Sequence, residues 1–211
     1  MPRLTASRIC LDGDYKLPPR ELTLSTRGNT SLVYNHPDEA DRVLVYTIER
    51  AKVDWWKQTD LAVDTLWVGE ARLTGWYEDT YTRRAKVSDT FDVYKCDVKR
   101  VSFDFPSGSS LWKERAAAIQ EIWDAKMSTH IINRRADLWR SDVWVKLSES
   151  NIPAVKEAAD FALNWGSDYL YAEPKRDAFC VRNGELFWLD PYHEEHLAKY
   201  LSASFYYPNN A

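Results

Sequence analysis

DAFCVRNGELFWLD, running from Asp177 to Asp190, decides how the second half of this chain folds. Two apolar runs, Ala178–Val181 and Leu186–Leu189, flank the pair Asn183-Gly184. A type I′ turn needs φ > 0 at both central residues, and Asn-Gly meets that demand at low steric cost, so the pattern predicts a β-hairpin. The stretch begins and ends in carboxylates thirteen residues apart, and pairing the runs sets Asp177 and Asp190 across from one another. Carboxylate oxygens are hard ligands of the kind magnesium takes.

Upstream of the hairpin the periodicity is helical. Asn151-Ile152-Pro153 reads as a helix start, with Asn151 at the cap and Pro153 in the first turn. Val155, Ala158, Ala159, Ala162 and Leu163 make its apolar face, and Gly166 can end it with a left-handed residue. Ser109 or Ser110 can cap an earlier helix carrying Trp112, Ala116, Ile119, Ile122, Trp123 and Met127, with further helix around 128–147. Downstream, Glu194–Ser204 is compatible with one more short helix.

The first half reads differently. Glu21–Thr26, Ser31–Asn35 and Arg42–Thr47 are β-prone runs separated by turn chemistry at Arg27–Thr30 and His36–Asp41, which predicts an antiparallel meander. Residues 1–20 read as an irregular arm or a first edge strand. A polar helix is expected over 49–62, with Val53, Trp56 and Leu61 on one face. Two more strands follow, Leu66–Trp76 and Thr90–Val101, around a polar excursion at Tyr77–Ser88. The fold class is therefore α+β: a strand-rich half over 1–105 with one helix, then a mainly helical half over 106–211 that carries the hairpin.

Composition narrows the function. With 45% apolar and 28% charged residues, the 211-residue chain has the make-up of a soluble globular protein able to bury a core. A net charge of −4 and the absence of long Lys/Arg runs argue against a nucleic-acid backbone as partner. Three widely spaced cysteines, Cys10, Cys96 and Cys180, form no CxxC pair and read as reduced thiols of a cytoplasmic protein. No run is long and apolar enough to span a membrane, and no secretory signal gives meaning to the sequon Asn29-Thr30-Ser31. Ten tryptophans and twelve tyrosines serve either a packed core or a partner-binding surface, and composition does not choose between the two.

Two patches, SLVYNHPDEADRVLVYT (Ser31–Thr47) and YAEPKRDAFCVRNGELFWLDP (Tyr171–Pro191), resemble the early host-modifying protein kinases of T7-like bacteriophages. The first is similar to that family's second strand, His-Pro turn and third strand. The second is similar to its catalytic loop, Asn-Gly hairpin and terminal Asp-Pro. The resemblance implies a compact bilobal protein-kinase-like fold, with ATP and magnesium as cofactors. It further implies host transcription, RNA-processing or defence machinery as the protein partner, met in the host cytoplasm.

Carried over residue by residue, Asp190 falls on the metal-holding Asp, and Asp177 stands where the family has an Asn. Both are therefore the metal-ligand candidates, with Asp190 also a catalytic one. Ala172 occupies the place of the catalytic base, leaving the adjacent Glu173 as its substitute. Val45 occupies the place of the phosphate-binding Lys, for which Lys52, Lys57 or Arg42 would have to stand in, with Lys52 the leading candidate. The turn Thr26–Thr30 holds one glycine, so Gly28 and Asn29 are the remaining phosphate-loop contacts. Two metal-type ligands with neither the base nor the lysine read as a pseudokinase that binds and modulates a host protein. An active atypical Ser/Thr kinase and an unrelated α+β protein-interaction domain are the alternatives.

The remaining constellations are weaker. His193-Glu194-Glu195-His196 lacks the i, i+4 spacing of a helical zinc pair and reads as a solvated helix start with acids in its first turn. His36 reads as a turn residue and His130 as a helix-end residue. Arg83-Arg84-Ala85-Lys86 reads as a solvated loop, or as a dock for an acidic partner. The acids Asp177, Glu185, Asp190, Glu194 and Glu195 admit the plainer reading of solvated loop charge.

Overall fold

The runs rich in β-branched and aromatic residues pair as the meander predicts. A computed structural model describes residues 9–11, 24–27, 31–77, 85–132 and 139–194. Its strands β1 (Ile9–Leu11), β2 (Leu24–Arg27), β3 (Ser31–Asn35), β4 (Arg42–Thr47), β5 (Ala62–Tyr77) and β6 (Ala85–Lys99) form one antiparallel sheet in the order β1-β5-β6-β4-β3-β2. The register sets Val33 against Val45 and Val45 against Cys96, so these small apolar groups share one layer. Val45, at 3% exposure, lies in that buried layer.

Helix α1 (Arg50–Gln58) follows β4 directly. Thr47 makes the corner: its hydroxyl accepts from the Ser31 hydroxyl at 2.9 Å and from the Glu49 amide at 3.3 Å. Val53, Trp56 and Leu61 are buried as their spacing suggests, together with Trp55 and, less expectedly for a polar helix, Lys52. Gln58 ends the helix early because the Thr59 hydroxyl folds back onto the Trp55 carbonyl at 2.8 Å and Asp60 takes φ 55°.

The turn between β3 and β4 is locked by His36. Its Nδ1 accepts the amides of Asp38 (3.2 Å) and Glu39 (3.0 Å), while Arg42 pairs with Glu39 and Asp97. Arg100 ties the same turn to the end of β6 through the carbonyls of Ala40 and Arg42 and the side chain of Asn35. His36 is thus a turn residue, as its place before Pro37 suggests.

The chain divides into two units, one built from residues up to Arg100 and the other from Val101–Glu195. The second holds α2 (Ser110–Ile132), α3 (Trp139–Leu147) and α4 (Pro153–Trp165), then β7 (Leu170–Ala172), β8 (Phe179–Arg182), β9 (Glu185–Trp188) and β10 (Tyr192–Glu194). Ser109 caps α2, its hydroxyl accepting the Trp112 amide at 3.1 Å. The fold class is α+β, with an antiparallel sheet and several helices.

Several local expectations change. The buried line of α2 is Ala118, Ile122 and Ala125, whereas Trp112 and Met127 are exposed. Small residues there let neighbouring elements come close, and the bulky ones marked by spacing alone are turned away. The cap of α4 is Ile152 in extended geometry, not Asn151; the Ser150 hydroxyl accepts the Ile152 amide at 3.0 Å instead. Gly166 does end α4 with φ 132°, a backbone that L side chains avoid. β5 and β6 run further into the expected excursion than their flanking polarity suggests, to Tyr77 and from Ala85. The solvated helix start at His193 is overturned: His193 and Glu194 belong to β10, paired with Tyr171 and Leu170, and Glu194 is buried. The proposed helix over Glu194–Ser204 therefore loses its first residue to a strand, and its remainder lies outside the described residues. Arg83 and Arg84 also lie outside them, and Lys86 is in β6.

Candidate functional site

Asn183 (φ 53°) and Gly184 (φ 83°) both adopt the positive φ that a type I′ turn requires. The β8–β9 ladder follows from it, from Arg182↔Glu185 at the turn to Phe179↔Trp188. At the far end the Ala178 carbonyl accepts the amides of Leu189 (2.8 Å) and Asp190 (3.2 Å). Asp177 lies one residue before that carbonyl, in a short 3-10 turn, Arg176–Ala178. The backbones carrying the two carboxylates therefore meet at the open end of the hairpin.

A second ladder brackets the first. β7 and β10 pair antiparallel through Ala172↔Tyr192, and the Glu173 amide continues the ladder to the Pro191 carbonyl at 3.0 Å. Glu173, Asp177 and Asp190 thus leave neighbouring backbone segments at one end of the structure formed by β7–β10. The outer edge of β8 is covered as well, because Ser102 and Val181 exchange both amide bonds, at 2.7 and 3.2 Å.

Aromatic packing fixes this framework. Phe179 stacks on Trp188 at 5.1 Å, and Trp144 reaches both Trp188 and Tyr192, at 6.2 and 5.4 Å. Tyr192 also stacks on Phe161 at 5.3 Å, and its hydroxyl donates to the Ala158 carbonyl at 2.6 Å. Burial pushes that phenol well above its usual range. The Trp144 indole donates to the Leu170 carbonyl at 3.0 Å. With the polar tips of Trp144 and Tyr192 satisfied, these packed rings make a stiff support, so the loop ends they carry are positioned rather than adrift. These tryptophans therefore serve the core, while Trp67 and Trp112 are exposed.

The charges at the site are unequal in exposure. Glu173 is buried and in contact with Lys175, whose side chain is 47% exposed. Asp177 is exposed and Asp190 half-buried. Lys126, from α2, donates to the Ala172 carbonyl at 2.9 Å and faces the Trp123 ring at 5.6 Å. Burial lowers its ammonium to about 8, and the nearby Glu173 charge only partly opposes this. Arg115 lies 3.9 Å over the Phe105 ring, with Arg176 close enough to repel it.

Among the described residues no group of three or more His, Cys, Asp or Glu side chains gathers as a metal cage. What the segment offers is Asp177 and Asp190 at a hairpin's open end, with Lys126 and Lys175 near Glu173. The other sequence candidates lie elsewhere. Lys52 is buried in the first unit, against Glu49. Gly28 and Asn29 lie outside the described residues. Arg42, an alternative cation, is engaged by Glu39 and Asp97.

Sequence reasoning passed over Lys126, because a lysine in mid-helix carries no signal of burial. It also passed over Lys175, although the Glu173-Pro174-Lys175 spacing sets both charges on one short loop. Cys96 and Cys180 are buried free thiols, each pushed up to about 12 by that burial, and are inert as nucleophiles. No helix among the described residues is long and apolar enough to cross a membrane. Set against protein-family models, curated proteins and solved structures, the chain matches none of them.

Proposed function

We propose that this chain is a phage-encoded, kinase-like host-takeover protein with degenerate phosphotransfer machinery, which acts by binding a host protein in the cytoplasm. The observation that carries the reading is the double use of the Ala178 carbonyl by the Leu189 and Asp190 amides, with Glu173 bonded to Pro191 alongside. Two carboxylates held by paired backbone suit magnesium, which would in turn take the phosphates of ATP. Magnesium keeps several waters and takes only one or two carboxylates when phosphate oxygens supply the rest, so a three-residue cage is not needed. Asp177 and Asp190 are the residues that would hold it, and the charge neutralisation it supplies is what phosphoryl transfer relies on. The degenerate part of the reading is supported by Val45, an apolar residue in a buried layer where the resemblance calls for a cation, and by the commitment of Lys52 to Glu49.

A second reading, an active atypical Ser/Thr kinase, draws on Glu173. A buried carboxylate beside Lys126 and Lys175 has the makings of a proton acceptor with cations at hand for phosphate. Thermal unfolding with ATP, with and without magnesium, on wild type and Asp190→Ala tests both readings. The proposal expects a magnesium-dependent rise in Tm that Asp190→Ala abolishes, without sustained phosphate transfer. Steady transfer of labelled phosphate to a protein, lost in Asp190→Ala, would replace it with the kinase reading. No shift at millimolar nucleotide would remove the nucleotide site altogether.

A further inference from the structure

Among the described residues, β5 is paired along only part of its outer side. β1 pairs only with Ala71–Leu73, and β5 is next to last in the sheet, so among the described residues the outer edge of Ala62–Glu70 has no strand beside it. Outward-pointing amides and carbonyls on such an edge must be satisfied by water or by another chain. Edges are ordinarily blunted by lysine, proline or bulges. Between Ala62 and Glu70 there is neither lysine nor proline. Irregularities do occur at Ala62/Asp64 and at Trp67/Gly69, and they bracket a regular stretch, Asp64–Trp67.

That stretch is apolar where it meets solvent. Leu66 is 60% and Trp67 55% exposed, with Val63 nearby at 46%. The Trp67 indole donates to Asp92 at 2.8 Å, which holds the ring in place before anything docks and lowers the ordering cost of binding. An exposed, oriented tryptophan beside an open strand edge combines an anchor with a hydrogen-bonding rail.

Charge selects the occupant. The edge bears Asp64 and Glu70 and no cation, while on the neighbouring strand β6 Asp92 holds the Trp67 indole and Lys95 stands opposite Leu66. A second copy paired antiparallel about Trp67 would set Asp64 against Glu70, an unfavourable arrangement for facing strands. A cationic strand would meet them favourably.

We propose that the β5 edge centred on Asp64–Trp67 is a docking site for an extended, cationic segment of a partner protein, which adds as a further strand beside β5. This deepens the partner-binding half of the proposed function and rests on it only for the existence of a partner. It does not need nucleotide at the carboxylate hairpin.

The test uses the full chain with two synthetic peptides, one alternating lysine with valine and the other alternating glutamate with valine. Hydrogen exchange is followed over 62–70 together with Trp67 fluorescence. The lysine peptide should slow exchange there by about tenfold or more at saturation, and the glutamate peptide should not. The double variant Asp64→Lys with Glu70→Lys should reverse that preference, and Leu66→Lys should weaken binding of the lysine peptide. Equal effects of the two peptides, or no effect of either, would overturn the proposal. So would protection that grows with protein concentration alone, which would assign the edge to a second copy. Full protection before any peptide is added would show the edge already covered, and would overturn it too. None of these outcomes depends on the ATP-dependent shift in Tm, so failure of the docking site and failure of the nucleotide site are separately visible.

Discussion

Each unit places a glutamate and a lysine in contact beneath its surface, and the two pairs differ in one respect. In Glu49–Lys52 both side chains are sealed, at 1% and 7% exposure; in Glu173–Lys175 the carboxylate is sealed at 5% while the lysine is 47% exposed. A sealed pair has its lysine committed to the fold, because exposing it would strand a buried carboxylate. A half-open pair keeps its carboxylate in place and still leaves an ammonium within reach of solvent and ligand. Of the two paired lysines it is Lys175, before the hairpin, and not Lys52 on α1, that stays open to solvent.

The sealed pair gives the largest expected effect. Lys52→Met should destabilise the protein by roughly 3–5 kcal/mol, since it leaves Glu49 charged and buried. Adding Glu49→Leu should recover most of that loss, because well-packed apolar residues often replace a buried ion pair without penalty. Urea unfolding of the single and double variants measures both. A single variant as stable as wild type would mean that Glu49 reaches water, and the contrast between the pairs would collapse.

Lys126 sharpens the comparison through pH. Its folded-state ammonium titrates near 8, below the usual 10.5, chiefly because of burial. Below pH 8 both states hold the proton and the full cost of burying the charge is felt. Between 8 and 10.5 the unfolded chain alone stays protonated, so stability rises with pH, by roughly 3 kcal/mol across the whole window. Cys96 and Cys180 act in the opposite direction: buried thiols raised from 9.0 to about 12 make stability fall above pH 9, where the unfolded chain loses its protons first. A rising limb between pH 8 and 9, absent in Lys126→Met, is the expected result in denaturant melts. Equal slopes in the two proteins would show that the amine is solvated.

The hairpin was legible in sequence because Asn183-Gly184 has a local steric cause: both residues need positive φ, and both have it. The meander was legible for a similar reason, since β-branched runs alternate with turns over a few residues. The misses all depend on what packs against what. Spacing put Trp112 and Met127 on the buried face of α2, but the neighbours there accept only Ala118, Ile122 and Ala125. Nothing local marks Lys126 as half-buried, and His193-Glu194 resembled a helix start because pairing with Tyr171 and Leu170 is a long-range event. That the backbones of Asp177 and Asp190 meet was therefore readable from one turn, whereas the lysines near Glu173 were not.

Gly184→Val asks whether that turn supports the half-open pair. A Cβ at Gly184 meets nothing within 4 Å, so the cost comes from forcing φ +83° on a β-branched residue, about 1–2 kcal/mol. Gly184→Asn should cost less, since Asn tolerates this region. Hydrogen exchange should quicken over 179–188 and stay unchanged over 50–58 in the other unit. Quickening of both together would mean that the units do not unfold independently.

The smallest effect is the most discriminating. Lys175→Met removes a half-exposed ammonium screened by water and leaves Glu173 the nearby Lys126 charge, so the loss of stability should be about 1 kcal/mol or less. If the lysine's role were structural, nothing further would change. If it is the cation that the open pair leaves available, magnesium–ATP should raise Tm less in Lys175→Met than in wild type, with Lys175→Arg keeping most of the response because the charge remains. Lys52→Met, measured at a temperature where it is folded, should then respond to nucleotide as wild type does. The opposite pattern, with nucleotide sensing lost in Lys52→Met and kept in Lys175→Met, would return the phosphate contact to α1. It would also mean that the sealed pair opens when ligand binds.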